Sequence, residues 1–102
     1  ERDVFVVSSG GFDTHATFDL GAVFNPIDEA LNSFIQEMKN ENIWDSVAVL
    51  SISEFGRTLT SNGAGTDHGW GGNYFLVGGD VNGGKMLGHY PDQLDEESDV
   101  HI

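Results

Sequence analysis

A single apolar stripe between residues 25 and 42 constrains the fold of this chain more than any other feature. Its apolar residues recur at alternating steps of three and one, the spacing of one face of an α-helix; they are Ile27, Ala30, Leu31, Phe34, Ile35 and Met38. Asn25 suits the N-cap and Pro26 the first helical position. The spacing therefore predicts a helix over residues 25–42.

Short apolar runs lie on both sides of this predicted helix. They cover residues 4–9 (VFVVSS), 46–53 (SVAVLSIS) and 73–79 (NYFLVGG), and each predicts a strand. Strands that are apolar on both faces and separated by a helix indicate a buried, mainly parallel sheet flanked by helices. The sequence thus predicts an α/β fold, and its 102 residues are enough for one small domain.

The charge balance bears on the partners of the chain. It has 17 Asp and Glu residues against four Lys and Arg residues, giving a formal net charge of −13. Nucleic acids and anionic membranes are bound mainly through Lys and Arg, so we expect no nucleic-acid partner. No apolar run is long enough to cross a bilayer, so we expect no membrane insertion. An acidic solvated surface and a set of cation ligands both explain the excess of carboxylates.

The sequence lacks cysteine and a signal-like segment, and both absences bear on what the chain can be. The chain has no cysteine, so any metal must be held by carboxylate oxygens and imidazole nitrogens. It opens with ERDVFVV, without an initiator Met or a signal-like segment. We therefore expect it to be a segment of a longer protein, with any export signal outside it.

The first candidate site pair, Asp13 and His15, follows the first predicted strand in the stretch GGFDTH. One residue separates them, so in an extended segment their side chains point to the same side and could hold one cation. In isolation, such a pair is also typical of a loop aspartate that caps a turn beside a solvent-exposed histidine.

A second pair, Asp67 and His68, lies in the glycine-rich stretch GAGTDHGWGG. Flanking glycines let the backbone fold tightly, so that adjacent side chains converge and a substrate comes close. A turn with an incidental histidine is the alternative. Two Asp/His pairs in glycine-flanked loops of one small domain favour metal binding. His89 and His101 are instead expected to be surface histidines.

Glu54 and Arg57 follow the second predicted strand, in SEFGR. The carboxyl ends of parallel strands meet at one edge of a sheet, which would place these residues beside Asp13 and His15. One interpretation is that they simply pair with each other. The other makes Glu54 a metal ligand or an anchor for one, and makes Arg57 a clamp for an anionic group through its planar guanidinium.

Five motifs occur in order along nearly the whole chain: GGFDTH, SEFGRT, GTDHGWGG, GGDVNGG and GHYPDQL. In this order and spacing they resemble the C-terminal half of the domain-of-unknown-function 1501 family. That family is mostly bacterial, is often exported, and is related to the alkaline phosphatase and sulfatase superfamily. The resemblance implies a partial three-layer α/β/α fold of the alkaline-phosphatase type, with residues 1–102 as the C-terminal portion of a larger domain.

The resemblance also implies a function. It implies a metal-dependent hydrolase of phosphate or sulfate esters with two divalent ions, zinc or manganese, acting on a small anionic ester in the periplasm or outside the cell. Asp13 and His15 would contribute to one ion, and Asp67 and His68 to the other. The nucleophile would come from the parent chain upstream of residue 1. The alternative is a non-catalytic, metal-stabilised surface or binding module.

Overall fold

The longest element of the structure is a 20-residue helix, α1 (Gly21–Asn40). The structure is a computed structural model, and it describes residues 2–16 and 19–95. After α1 come a short 3₁₀ helix and four strands, which in chain order are Trp44–Ser46, β1 (Ala48–Leu50), β2 (Gly56–Ser61), β3 (Thr66–Gly69) and β4 (Leu76–Gly78). None of the helices formed by the described residues has both the length and the apolar character needed to cross a bilayer.

The predicted helix exists, but it begins one turn earlier than the sequence predicts. The carbonyl of Leu20 accepts hydrogen bonds from the backbone of Val23 and Phe24, so Asn25 is not the N-cap and Pro26 lies inside the helix. Val23 lies four residues before Ile27 and extends the apolar stripe by a turn. This added apolar turn outweighs the local capping signal at Asn25.

The strands form two separate sheets of two antiparallel strands each. β1 pairs with β4, with Ala48 opposite Gly78 and Leu50 opposite Leu76. β2 pairs with β3 as a hairpin, and Arg57 lies opposite His68. The hairpin was not predicted from the sequence, yet it carries three of the candidate site residues.

The prediction of a three-layer α/β/α fold with a mainly parallel sheet is therefore wrong. Residues 46–53 and 73–79 do contain strands, but these strands are antiparallel. A parallel pair needs a crossover connection, usually a helix, and the chain between β1 and β4 forms the β2–β3 hairpin instead. Residues 4–9 form no strand, and the side chains of residues 4–7 are 83–94% exposed.

Apolar burial is low in this architecture. No hydrophobic residue in the described part of the chain is fully buried, and Thr58 is the one buried polar residue there. The accessible surface is 8479 Å², whereas a compact protein of this mass exposes about 5,600 Å². The radius of gyration is 16.8 Å, against about 13 Å for a compact chain of this length. Local polar contacts therefore carry much of the order around the hairpin.

Candidate metal centre

The first loop, residues 10–16, lies against the β2–β3 hairpin, and Arg57 holds it there. The Arg57 guanidinium donates to the carbonyl oxygen of Phe12 at 2.7 Å and to that of Thr66 at 2.6 Å. The same guanidinium donates to the Asp13 carboxylate at 3.0 Å. Because the Arg57 side chain is only 21% exposed, these contacts are partly shielded from water. Arg57 thus ties two segments, 44 residues apart in sequence, into one site.

Three predicted ligands converge on one point. Oδ1 of Asp13 contacts Nδ1 of His15, and it lies 3.0 Å from Nε2 of His68. One ligand atom from each of the three residues lies within 4.8 Å of the others. All three side chains are exposed, so the cluster opens to solvent. This is the one group of three or more such ligands within residues 2–16 and 19–95.

The hairpin register explains how His68 reaches Asp13. His68 lies directly opposite Arg57, and residues paired across antiparallel strands present their side chains on the same face. Both side chains therefore reach the same carboxylate oxygen. The ring of Phe55 stacks on that of His68, with centroids 4.0 Å apart and planes 8° from parallel, which fixes the imidazole plane.

Asp67 lies beside this cluster. Its Oδ1 is 3.8 Å from Nε2 of His15 and accepts a hydrogen bond of 3.1 Å from the amide of Asn62. The predicted assignment of Asp13 with His15 to one ion, and of Asp67 with His68 to another, stays a prediction. The geometry itself groups Asp13 with both histidines.

Glu54 and Arg57, the two other predicted site residues, lie in different surroundings in the structure. Glu54 is exposed, and no hydrogen bond or ion pair joins it to another described residue. Arg57 pairs with Asp13 rather than with Glu54. Its role as an anion clamp stays a prediction. His89 is exposed and lies outside the cluster, whereas His101 falls outside the described residues.

The donor set suits a divalent metal. Two imidazoles and one carboxylate are a ligand set of catalytic zinc sites, which keep a further position open. Metal–ligand bonds of about 2.0–2.2 Å bring ligand atoms to roughly 3–4 Å from one another. The ligand atoms of this cluster lie within 4.8 Å of one another, so a modest inward shift would let them hold one ion. Arg57 also donates to Asp13, the kind of outer contact that orients a ligating carboxylate. Asp13, His15 and His68 therefore form a donor set that suits one divalent ion, which differs from the predicted division of the ligands between two ions.

The same contacts lower the pKa of Asp13 below its usual value near 3.8. The hydrogen bond with His68 is the largest cause, and removal of water from the carboxyl opposes it. The hydrogen bond from Arg57 and the proximity of His15 also favour the charged form. Asp13 therefore remains a carboxylate, the form that binds cations, into more acidic solution than an ordinary aspartate.

We expect the Asp13 carboxyl to titrate with a midpoint below pH 3.8, and the substitution His68→Ala to raise that midpoint. Because the folded-state pKa is lowered, the contacts of Asp13 stabilise the fold above the unfolded-state pKa, and this contribution is lost as pH falls through the lowered value. A ¹³C NMR titration of the carboxyl carbon measures both midpoints. An equal midpoint in the variant would show that His68 does not act on Asp13.

Two residues of this site were not identified from the sequence, Phe55 and Asn62. Phe55 orients the His68 ring, and Asn62 contacts both the first loop and Asp67. The available signal was the stretch TLTSNGAGTDH, in which a Gly- and Asn-rich turn joins two short polar strands. Predicting that hairpin would have brought Arg57 and His68 together.

Comparison with curated proteins and with solved structures gave no significant match. A comparison with protein-family models did give a match, and it extends over residues 1–102. The sequence resemblance to this family is therefore confirmed over the full length of the chain. The chain belongs to the family described as "Protein of unknown function (DUF1501)".

Proposed function

We propose that this chain supplies a divalent-metal site to a metal-dependent hydrolase of phosphate or sulfate esters. The observation that carries the proposal is the convergence of Asp13, His15 and His68, whose ligand atoms lie within 4.8 Å of one another. These residues come from two segments of the chain, and the pairing of Arg57 with Asp13 joins the segments. Zinc or manganese is the proposed ion, and because the donor set also suits iron(II), all three belong in the metal assay.

Each residue has a defined task in this proposal. Asp13 provides the anionic ligand, His15 and His68 provide nitrogen ligands, and Arg57 orients the carboxylate. A divalent ion held there would polarise a phosphoryl or sulfuryl oxygen. Asp67, next to His15, is the described residue best placed to serve a second ion. Further ligands of that ion, and the nucleophile, would come from outside the described residues.

Because the chain has a net negative charge, binding of an anionic substrate is favoured only when a metal cation occupies the site. With a net charge of −13, the surface repels anions. Among the described residues, Arg57 is the one Lys or Arg side chain that contacts Asp13, and its single positive charge cannot balance both Asp13 and Asp67. Binding of a divalent cation would reverse the local sign of the charge. A small phosphate or sulfate ester is therefore expected to bind after the metal.

The wider relationships are also proposals. The five motifs suggest kinship with the alkaline phosphatase and sulfatase superfamily, although the antiparallel sheets of the described residues do not reproduce its fold. The motifs likewise suggest that residues 1–102 form part of a larger domain in an exported, periplasmic or extracellular protein. The open, three-ligand cluster is compatible with a site that other residues complete.

To test the function, a protein containing this chain is loaded with zinc, manganese or iron(II) and assayed with p-nitrophenyl phosphate and p-nitrophenyl sulfate. We expect hydrolysis of at least one ester to require metal and to fall roughly 100-fold or more in His68→Ala, because a ligand is lost. His89→Ala is the matched control, since His89 is exposed and lies outside the cluster. Metal uptake that is the same in wild type, Asp67→Ala and His68→Ala would refute the proposal.

A second candidate function is that of a non-catalytic module stabilised by its metal. The hydrogen bonds that Arg57 already makes favour it. Three of the five N–H donors of its guanidinium are already used by Phe12, Thr66 and Asp13, which leaves fewer for a substrate anion. In that case the metal would bind with the same ligands but neither ester would be hydrolysed. The assay above distinguishes the two functions.

A further inference from the structure

Asn62, in the turn between β2 and β3, joins the turn to the first loop. Its side-chain carbonyl accepts hydrogen bonds from the backbone N–H of Gly65 at 2.8 Å and of Ala64 at 3.1 Å. Backbone N–H groups can only donate, so the oxygen of the Asn62 amide must face the turn. The NH₂ group of the same amide must then face outward from the turn.

The NH₂ group of Asn62 contacts the candidate metal site at two points. It donates to the backbone carbonyl of His15 at 3.1 Å and to the Asp67 carboxylate at 3.1 Å. His15 lies 47 residues earlier in the sequence. One side chain therefore closes the turn with its oxygen and holds two candidate ligands with its nitrogen.

Close backbone packing accompanies these hydrogen bonds. Gly65 is buried, and a Cβ atom placed on it would overlap the carbonyl oxygen of Thr14 and lie 2.7 Å from the carbonyl carbon of His15. The turn and the first loop are thus in direct backbone contact, which requires glycine at position 65. The contact leaves no space for the loop to shift toward the turn.

The first loop is therefore held at both ends. Arg57 holds Phe12 and Asp13 at one end, and Asn62 holds the backbone of His15 at the other. Without Asn62, the described polar contacts of His15 with the rest of the chain would involve only its ring, which contacts Asp13 and lies near Asp67. The ring of His15 would then be free to turn away from His68, whose ring centroid is 4.8 Å from its own.

We propose that Asn62 is a positioning residue of the metal centre, which bridges the backbone carbonyl of His15 and the carboxylate of Asp67 and so holds the first loop against β3. This role rests on the proposed metal site. It differs from a turn-forming role because the two functions use different atoms of the amide. The oxygen forms the turn, and the nitrogen positions the ligands.

The substitution Asn62→Asp separates these two functions. A carboxylate can still accept from the N–H groups of Gly65 and Ala64, but it cannot donate to His15 or Asp67. It also adds a negative charge, which by itself would attract a cation. Charge alone would therefore raise the metal affinity of this variant, so a loss of affinity would have to come from the lost hydrogen bonds. Asn42→Asp is the matched control, because Asn42 is exposed, has a φ of 58° that aspartate tolerates, and lies beyond α1.

The experiment titrates zinc against a competing chromophoric chelator. We expect Asn62→Asp to bind zinc about tenfold more weakly than wild type, in the range found for outer contacts of metal ligands. Asn42→Asp should bind as wild type does. Amide hydrogen exchange should show that β2 and β3 remain protected in Asn62→Asp. In a His15→Ala background, Asn62→Asp should lose most of its effect, because the imidazole that the Asn62 contact positions is already absent.

Several results would overturn this role. One is a zinc affinity of Asn62→Asp equal to or above that of wild type. Another is a loss of zinc affinity accompanied by a loss of hydrogen-exchange protection in the hairpin. A third is that the effects of Asn62→Asp and His15→Ala on zinc affinity are fully additive. Wild type that binds none of zinc, manganese and iron(II) would overturn the proposed function and this role with it. Wild type that binds zinc together with an unaffected Asn62→Asp variant would leave the metal site standing and reject only the role of Asn62.

Discussion

Replacing Asp13 with Asn should weaken zinc binding roughly 100-fold or more, beyond the 10- to 100-fold cost of losing an outer contact. Oδ1 of Asp13 is the atom on which His15, His68 and Arg57 all converge. An amide of the same shape has no negative charge to offer a cation, and only one of its two terminal atoms can act as a ligand or an acceptor. Competition with a chromophoric chelator measures the change in affinity.

The matched control for this substitution is Asp28→Asn. Asp28 is an exposed aspartate on α1, outside the cluster, so its substitution changes the net charge by the same amount. It should leave zinc affinity within about twofold of wild type, because Asp28 is not one of the clustered ligands and interactions between solvent-exposed charges are weak. Equal losses in the two variants would mean that zinc binds through the general negative charge of the surface.

Zinc should raise the midpoint of thermal unfolding by about 10–20 °C at a free concentration of 100 times its dissociation constant. Binding to the folded state alone adds about 2.7 kcal/mol at that concentration, and each kcal/mol shifts the midpoint of a domain of this size by about 4–8 °C. The shift should be large relative to the stability of the metal-free chain, because the described residues include no fully buried hydrophobic side chain. Differential scanning calorimetry with and without zinc measures it.

Asp13→Asn serves as the control for this second prediction, since it keeps the shape of the side chain while losing the ligand charge. Zinc should shift its midpoint by only a few degrees, and EDTA should reverse the shift in wild type. A zinc-induced shift of the same size in Asp13→Asn would place the stabilising ion elsewhere in the molecule. No shift in wild type at saturating zinc would show that the folded state does not bind it.

Local patterns predicted some elements of the fold and could not predict how they pair. The stripe from Ile27 to Met38 predicted α1, because helix periodicity is a local property. The apolar runs at residues 46–53 and 73–79 predicted β1 and β4 in the same way. Their antiparallel pairing depends on the intervening hairpin, which is formed by short, polar, glycine-rich strands without a strong apolar alternation.

Residues 4–9 are a segment in which the local pattern predicted a strand that the structure does not contain. Their apolar, β-branched sequence favours a strand, but a strand also needs a neighbour to accept its hydrogen bonds. No described residue pairs with this segment, and the side chain of Val7 is 94% exposed. Local preference alone is therefore not sufficient to form the predicted strand.

The candidate site was predictable as a set of residue types and not as a geometry. The spacing of Asp13 and His15 predicts that their side chains lie on the same side of an extended segment, and in the structure they contact each other. The adjacency of Asp67 and His68 predicts that those two act together, and in the structure Asp67 lies beside His15 whereas His68 contacts Asp13. The register that sets His68 opposite Arg57 is what brings His68 to Asp13. That register depends on contacts between segments.

The most direct test of the metal centre is an anomalous diffraction measurement at the zinc absorption edge, on crystals of a protein that contains this chain. We expect an anomalous peak about 2.0–2.2 Å from an oxygen of Asp13 and from one ring nitrogen each of His15 and His68. The same peak should be missing in Asp13→Asn. Zinc-saturated crystals with no anomalous peak among these three residues would show that they do not form a zinc site.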